Sequence, residues 1–307
     1  MEKYSGPLVV RTPLIVNGHN TKYIQKAYQS SCDCIVLDLE DGVPPNYKDL
    51  ARKTIFDTLN SGEIDGRPVF VRVNSLETGM TKQDVDMVAS KNLNGFLYTK
   101  PYSSGDLVVF DRIISEKEKS LGLPQEYFKV IVVMETPSAI IHADEIAKAS
   151  KRIVGMLFGA EDLLGDTQGK HASDGSSLHY ARSQVLFACR ANNLLPIDTP
   201  YIDVHNIEGL KAFIKPAVDL GYEGMLLISP SQAEIVKDFY TPSASEIQKA
   251  QNMVSTAQAN ASSGTGASIK EHVFVAPPTL KQANNLIYRH EKIVKFEQYM
   301  KSCREDA

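Results

Sequence analysis

The sequence predicts an α/β fold, a (β/α)8 TIM barrel with a small C-terminal helical appendage. Three observations predict it. Short β-rich runs alternate with longer helical stretches, the pattern of a parallel sheet with crossover helices. Eight such repeats carry the chain to about residue 240, close to the roughly 250 residues of a closed barrel. Several strands are continuously apolar rather than alternating, as strands covered on both faces are. The rival is an open, doubly wound sheet. It would carry a glycine-rich phosphate turn after the first strand, and Asn17-Gly18-His19-Asn20 is not one.

In order, strands are expected over Leu14–Asn17, Cys34–Glu40, Val69–Asn74 and Gly95–Lys100. Helices over Tyr47–Asn60 and Asp106–Leu121 fill two of the gaps. The fifth and sixth strands, Val130–Glu135 and Ile153–Phe158, are the most evenly apolar, and a helix over Ser138–Ser150 joins them. A helix over Ser176–Asn193, a strand over Ile197–Asp203, a helix over Glu208–Leu220 and a strand over Gly224–Ser229 complete the barrel, residues 1–240. Residues 241–307 form the appendage. Thr241-Pro242-Ser243 opens a helix to about Ala259, and Ala261–Ser268 reads as a flexible linker. An apolar patch at Val273-Phe274-Val275 precedes a helix from Pro278 to Met300. So small a unit buries little by itself and is expected to act as a lid, packing on the barrel or on a neighbouring subunit.

Of the 307 residues, 43% are hydrophobic and 23% charged, and the net charge is -4. That is ordinary globular composition, and it excludes a basic nucleic-acid or membrane-surface protein. No apolar run approaches the roughly 20 residues that span a bilayer. The start, Met1 to Pro7, shows no secretory h-region, so a cytoplasmic location is expected. Cys32, Cys34, Cys189 and Cys303 show no CxxC spacing, against a metal knuckle or disulfide framework.

Function is sought at the strand ends, where barrels build active sites. Glu135 follows the fifth strand, and Glu161-Asp162 follow Gly159-Ala160 after the sixth. Glu135 and Asp162 read as half of a hard-cation site, with substrate and water as the other ligands. They read equally as acids opening the next helix. The second strand ends Asp38-Leu39-Glu40-Asp41, and three acids this close call for cationic or metal partners. Arg72 interrupts an otherwise apolar third strand; its fork suits a substrate carboxylate, or an internal acid. Lys100 is either a cation at the barrel mouth or a solvent-exposed loop lysine. Oxygen-only ligation favours Mg²⁺ or Mn²⁺ over zinc. The histidines at 142, 171, 179, 205, 272 and 290 form no ligand spacing, although Gly169-Lys170-His171 sits where barrels place lids.

These residues resemble a known family. The chain is similar to the CitE-like branch of the HpcH/HpaI aldolase and citrate lyase β-subunit superfamily, which includes malyl-CoA and citramalyl-CoA lyases. The resemblance runs from Arg11-Thr12-Pro13-Leu14 to Leu280-Lys281-Gln282-Ala283. Its specific strings are Leu37-Asp38-Leu39-Glu40-Asp41-Gly42-Val43 and Gly159-Ala160-Glu161-Asp162, with Glu135-Thr136-Pro137 between them. It implies Mg²⁺ held by Glu135 and Asp162, and Arg72 on the substrate carboxylate or keto group. Gly159, Ala160, Glu161 and Lys100 are expected beside the substrate, with Asp38, Glu40 and Asp41 behind them. The implied reaction is reversible aldol cleavage of a 3-hydroxyacyl-CoA or related hydroxy acid to a 2-oxo acid and an acyl-CoA. It also implies a homotrimer in which the appendage covers a neighbour's site.

Three departures stand against that pattern. Met225 and Ser229 replace the lysine and histidine of a Gly-Lys-x-x-Ile-His-Pro strand. The family's proton-transfer aspartate aligns with Ala276, or with Val275 one residue earlier; Glu271 and His272 are the nearby candidates to substitute. Three functions are therefore expected in order: an acyl-CoA lyase of altered substrate, a CoA-independent aldolase on a small hydroxy-keto acid, and a non-catalytic keto-acid or acyl-CoA-binding subunit.

Overall fold

The computed structural model describes the chain except for residues 1–3, 5, 62–64, 173–174, 263–267, 271–272 and 306–307. Most of the start of the chain, the centre of the expected linker, and Glu271 and His272 therefore lie outside the described residues. The described chain divides into two compact units, one of Met1–Tyr4 and Val10–Tyr240, the other of Ser5–Val9 and Thr241–Ala307.

In the first unit, strands and helices alternate. The order is β1 Pro13–Asn17, α1 Thr21–Gln29, β2 Cys34–Asp38, α2 Lys48–Asn60, β3 Val69–Val73, α3 Thr81–Val88, β4 Gly95–Tyr98 and α4 Ser104–Ser120. Then come β5 Lys129–Met134, α5 Pro137–Ile141, α6 Ala143–Ala147, β6 Ile153–Phe158, α7 Ala160–Thr167 and α8 Ser176–Ala191. The last are β7 Leu195–Asp198, α9 Ile207–Leu220, β8 Gly224–Met225 and α10 Ala233–Tyr240. The strands lie parallel in sequence order from β1 to β8, each beside the next. Leu14 bridges Leu227, and the Leu227 N–H donates to Pro13 O at 2.7 Å, so the sheet meets itself and the barrel closes.

The predicted barrel is the one found. All five residues of β2 are buried, as a strand covered on both faces requires. Four details differ. The seventh strand lies at Leu195–Asp198 rather than Ile197–Asp203, because Pro196 accepts from Glu223 in the ladder while Thr199 onward turns away. The expected Ser138–Ser150 helix is two short ones broken at His142. The eighth strand keeps only two ladder residues before the bridge at Leu227. Asp38 ends β2 itself, Glu40, Lys100 and Glu135 stand one or two residues beyond their strands, Asp41 three beyond, and Glu161 and Asp162 lie in the first turn of α7.

Two registers matter for the site. Asp38 on β2 lies directly opposite Arg72 on β3. Between β5 and β6 the register slips by one residue after Val130, which sets Met134 opposite Phe158 and brings the following residues, Glu135 and Gly159, together.

The second unit contains α11 Ala244–Ser262, an antiparallel hairpin of β9 Ser268–Lys270 and β10 Val273–Val275, and α12 Pro277–Glu305. α11 and α12 pack on each other and both meet β10. Of the residues expected in the linker, Ala261 and Ser262 belong to α11 and Ser268 to β9, and the apolar patch is a strand. Among the described residues no helix is long and apolar enough to cross a membrane. All four cysteines are free and buried.

Candidate active site

The acids after β2 are tied down first. The Asp38 carboxylate accepts from Arg72 Nε at 2.6 Å and Nη2 at 2.7 Å, and from the N–H groups of Glu40 and Gly42 at 2.9 Å each. Its oxygens are fully used, and the fork of Arg72 is used with them. The internal ion pair is therefore the reading of Arg72 that the structure adopts, and a bidentate clamp on a substrate carboxylate by the same Nε–Nη2 edge is excluded. At its other edge, Nη1 lies 3.2 Å from Glu40 Oε2. Glu40 also accepts from Lys100 Nζ at 2.6 Å through its other oxygen. Burial pushes the Glu40 carboxyl up, and the two cations only partly offset it.

A network that sequence reasoning missed supports this turn from below. Lys48, at the start of α2, is buried and spends its ammonium on Leu39 O, Glu40 O and Asn74 Oδ1 at 2.6, 2.8 and 2.8 Å. Asn74 is held by Asp84 of α3, which also pairs with Arg52 of α2. A lysine opening a helix looks solvent-exposed in the sequence; only the fold puts it beneath two carbonyls.

Lys100 is the mouth cation, not a free loop lysine. Its ammonium contacts Asp41 at 2.8 Å and lies 3.5 Å from Asp162 Oδ1, besides its bond to Glu40. Burial works against its charge, but these acids win and hold it well above the usual lysine range. Its backbone takes the left-handed conformation, with φ of 50°, uncommon without glycine. That conformation aims its N–H at Glu135 Oε1, 3.0 Å away.

Glu135 is 3% exposed. Burial, then the charges of Asp162 and Glu40, push its carboxyl up to about 8 against the pull of Arg72 and Lys100. Asp162 sits in the first turn of α7, 43% of its side chain exposed. Gly159 makes the approach of these two loops possible, since a Cβ there would lie 2.6 Å from Glu135 Cβ and 3.0 Å from its Oε2. The Gly159 N–H goes to Met134 O, and the Ala160 N–H to Thr199 Oγ1 at 3.0 Å. Neither is left for a substrate, so these two residues shape the site and do not bind through those groups.

Glu161 pairs with His171, Oε1 to Nε2 at 2.8 Å. Both line a cavity of about 530 Å³ between α8, α9 and the loop after β7. At the positions where the family strings depart, Met225 is buried in β8 and Ser229 caps the turn after it. Ala276 precedes α12, its N–H donating to Thr279 Oγ1.

The residues fit a hard divalent cation. Arg72 and Lys100 are paired with Asp38, Glu40 and Asp41, so they offset the burial of Glu135 only in part and its charge stays disfavoured. Among the described residues no set of three His, Cys, Asp or Glu side chains is placed to hold a metal. Glu135 and Asp162 would supply two oxygens, and a chelating substrate and water the rest.

Residues 11–230 match the model of the HpcH/HpaI aldolase/citrate lyase family. The chain is 28% identical to the citrate lyase subunit beta of Leuconostoc mesenteroides, over 90% of this chain and 92% of that one. It is 29% identical to an L-malyl-CoA/beta-methylmalyl-CoA lyase of Cereibacter sphaeroides, over 92% and 95%. Among solved structures, CitE from Mycobacterium tuberculosis, in complex with magnesium, acetoacetate and coenzyme A, superposes with a TM-score of 0.75 at 26% identity, over 92% of this chain and 98% of that one. A citrate lyase from Burkholderia xenovorans, 19% identical, shares the fold with a TM-score of 0.82. With a family model spanning the barrel from Arg11 to Pro230, this chain belongs to the HpcH/HpaI aldolase/citrate lyase family and is a lyase.

Proposed function

We propose that the protein is a Mg²⁺-dependent carbon–carbon lyase that cleaves a 3-hydroxyacyl-CoA, or a related hydroxy acid, to a 2-oxo acid and an acyl product. One observation carries this reading. The slipped register of β5 on β6 brings Glu135 and the Gly159–Asp162 turn together beside two cations, Arg72 and Lys100. When bound, a divalent ion polarises the keto oxygen of the 2-oxo acid as a Lewis acid. Glu135 and Asp162 would hold it. The Arg72 guanidinium and the Lys100 ammonium would offset the negative charge of the oxo-acid carboxylate, with Asp38 and Glu40 fixing where those cations sit. Because the Arg72 fork is already spent, its part is charge and one N–H edge rather than a two-point clamp.

The test is turnover of malyl-CoA, citramalyl-CoA and short hydroxy-keto acids, with Mg²⁺ and after EDTA. Cleavage that stops on chelation and returns with Mg²⁺ is expected. Folded protein that cleaves none of them overturns the reading.

Ala276 favours a second reading, a keto-acid-binding subunit without turnover. It predicts Mg²⁺-dependent binding of oxaloacetate or pyruvate with no cleavage, and gain of activity in Ala276→Asp. A homotrimer in the cytoplasm, with residues 241–307 serving as a lid on a neighbour's barrel, completes the proposal and rests on the family resemblance. Light scattering in solution reads the oligomer.

A further inference from the structure

Among the described residues, the lyase reading finds no owner for one step at positions 38, 40, 41 and 276, the proton at the α-carbon of the acyl partner. Ala276 has no acid. Asp38 has spent its oxygens, and Glu40 and Asp41 are bound to cations. Next to Asp162 in the sequence of α7, however, Glu161 forms a carboxylate–imidazole pair. Glu161 Oε1 lies 2.8 Å from His171 Nε2, and both side chains are half-exposed, at 48% and 41%. In the neutral ring, a carboxylate that accepts from Nε2–H selects the tautomer whose lone pair is on Nδ1.

Where that pair stands is the second observation. Glu161 precedes the candidate metal ligand Asp162 in the first turn of α7. Glu161 and His171 both line the 530 Å³ cavity, whose walls also include Leu178, Tyr201, Phe213 and Pro216. A mostly apolar cavity of this size with a few polar groups at its edge suits a small organic ligand. The buried Arg182 on its wall is neutralised by Asp198, so the cavity offers no free anion site there.

We infer that this cavity receives the acyl partner and that His171, oriented by Glu161, is the catalytic residue that moves its α-proton. The inference rests on the lyase reading. In the condensing direction Nδ1 takes the proton from the α-carbon, and the C–H electron pair becomes the new C–C bond to the keto carbon. The carbonyl π pair moves to oxygen, which takes a proton from water. The hydroxide left behind is neutralised by the imidazolium. Cleavage reverses each move, with no oxidant or other co-reactant. Glu161 acts through His171 and is a positioning residue.

The experiment uses the full chain with Mg²⁺, acetyl-CoA and either pyruvate or glyoxylate in D2O. It reads condensation and deuterium entering the acetyl methyl group. His171→Gln is expected to lose both by roughly 10²–10⁴-fold, while its affinity for Mg²⁺ and pyruvate by calorimetry stays within about twofold of the wild type. Glu161→Gln should lose less, and Glu161→Asp should regain part of that loss. His19→Gln is the control; this imidazole lies in the β1–α1 loop, and no carboxylate of the described residues holds it. Normal exchange in His171→Gln, or loss in His19→Gln alone, overturns the inference and leaves the lyase reading intact. A wild type that neither exchanges nor condenses overturns the inference, and it overturns the lyase reading as well only if it also cleaves none of the hydroxy acids.

Discussion

Glu135 is a carboxylate whose charge its own burial and the neighbouring acids disfavour, and pH should reveal it. In an unfolded chain its carboxyl titrates near 4.5; in the folded barrel it is pushed up to about 8. The folded state thus holds this proton more tightly than the unfolded one. The stability that the neutral acid contributes is full below about pH 4.5 and is lost as the pH rises through about 8. Metal-free wild type should therefore lose melting temperature between pH 6 and pH 9 relative to Glu135→Gln, which carries no such proton. Magnesium should bind more tightly at pH 9 than at pH 6, since it competes with that proton. Calorimetric melts of both proteins across this range check it. A difference between them that does not change with pH would remove this account. The same residue shows how far the sequence reaches. Its place after an apolar strand was legible, and so was the alternative that it merely opens a helix. What the string of letters did not carry was the register slip after Val130, which makes it a neighbour of Gly159.

At the scale of elements, the site is a set of loop ends held from below. β2 and β3 meet with Asp38 opposite Arg72, so their pairing follows from strand register and is not a chance surface contact. Lys48 and Asn74 then fasten the β2 loop to the base of α2 and to α3. The Glu135 and Gly159 loops are fastened differently, by lack of a side chain. Gly159→Ala would push its Cβ into the Glu135 carboxylate, and Mg²⁺ affinity should fall by at least about tenfold, as loss of ligand orientation typically does. Melting temperature should shift by only a few degrees, because the strained atoms lie in a loop end and not in the strand ladder. Titration calorimetry and a thermal melt decide it; wild-type affinity would mean the two loops move apart freely. Helices and strands around these loops were readable because Val130–Met134 and Ile153–Phe158 have no polar interruption. The seventh strand was misplaced since Tyr201-Ile202 looks as β-prone as Leu195-Pro196-Ile197, and a proline argues against a strand until its neighbouring strands are seen beside it. The hairpin at 268–275 was hidden for the opposite reason. Three residues per strand are too few to show a period.

For the whole molecule, everything depends on the seam between β1 and the end of the barrel. Met225 and Leu227 donate to Arg11 O and Pro13 O, and Ile15 donates back to Leu227 O at 2.9 Å. Gly224 lies so close to Val10 O and Arg11 that any Cβ would strike backbone. Gly224→Ala should accordingly cost about 1–3 kcal/mol or more, the range for forced overpacking. Urea unfolding measures it, and an unchanged midpoint would show that the seam yields. The sequence indicated eight strands but not which atoms join the first to the last, since that contact spans more than two hundred residues of chain. This has a consequence during synthesis. Until Leu227 has left the ribosome, β1 has no partner on its outer side, and the growing protein is an open sheet with a bare edge able to pair with another chain. Its safest moment in the cell begins only when the two ends of the barrel, made far apart in time, first touch.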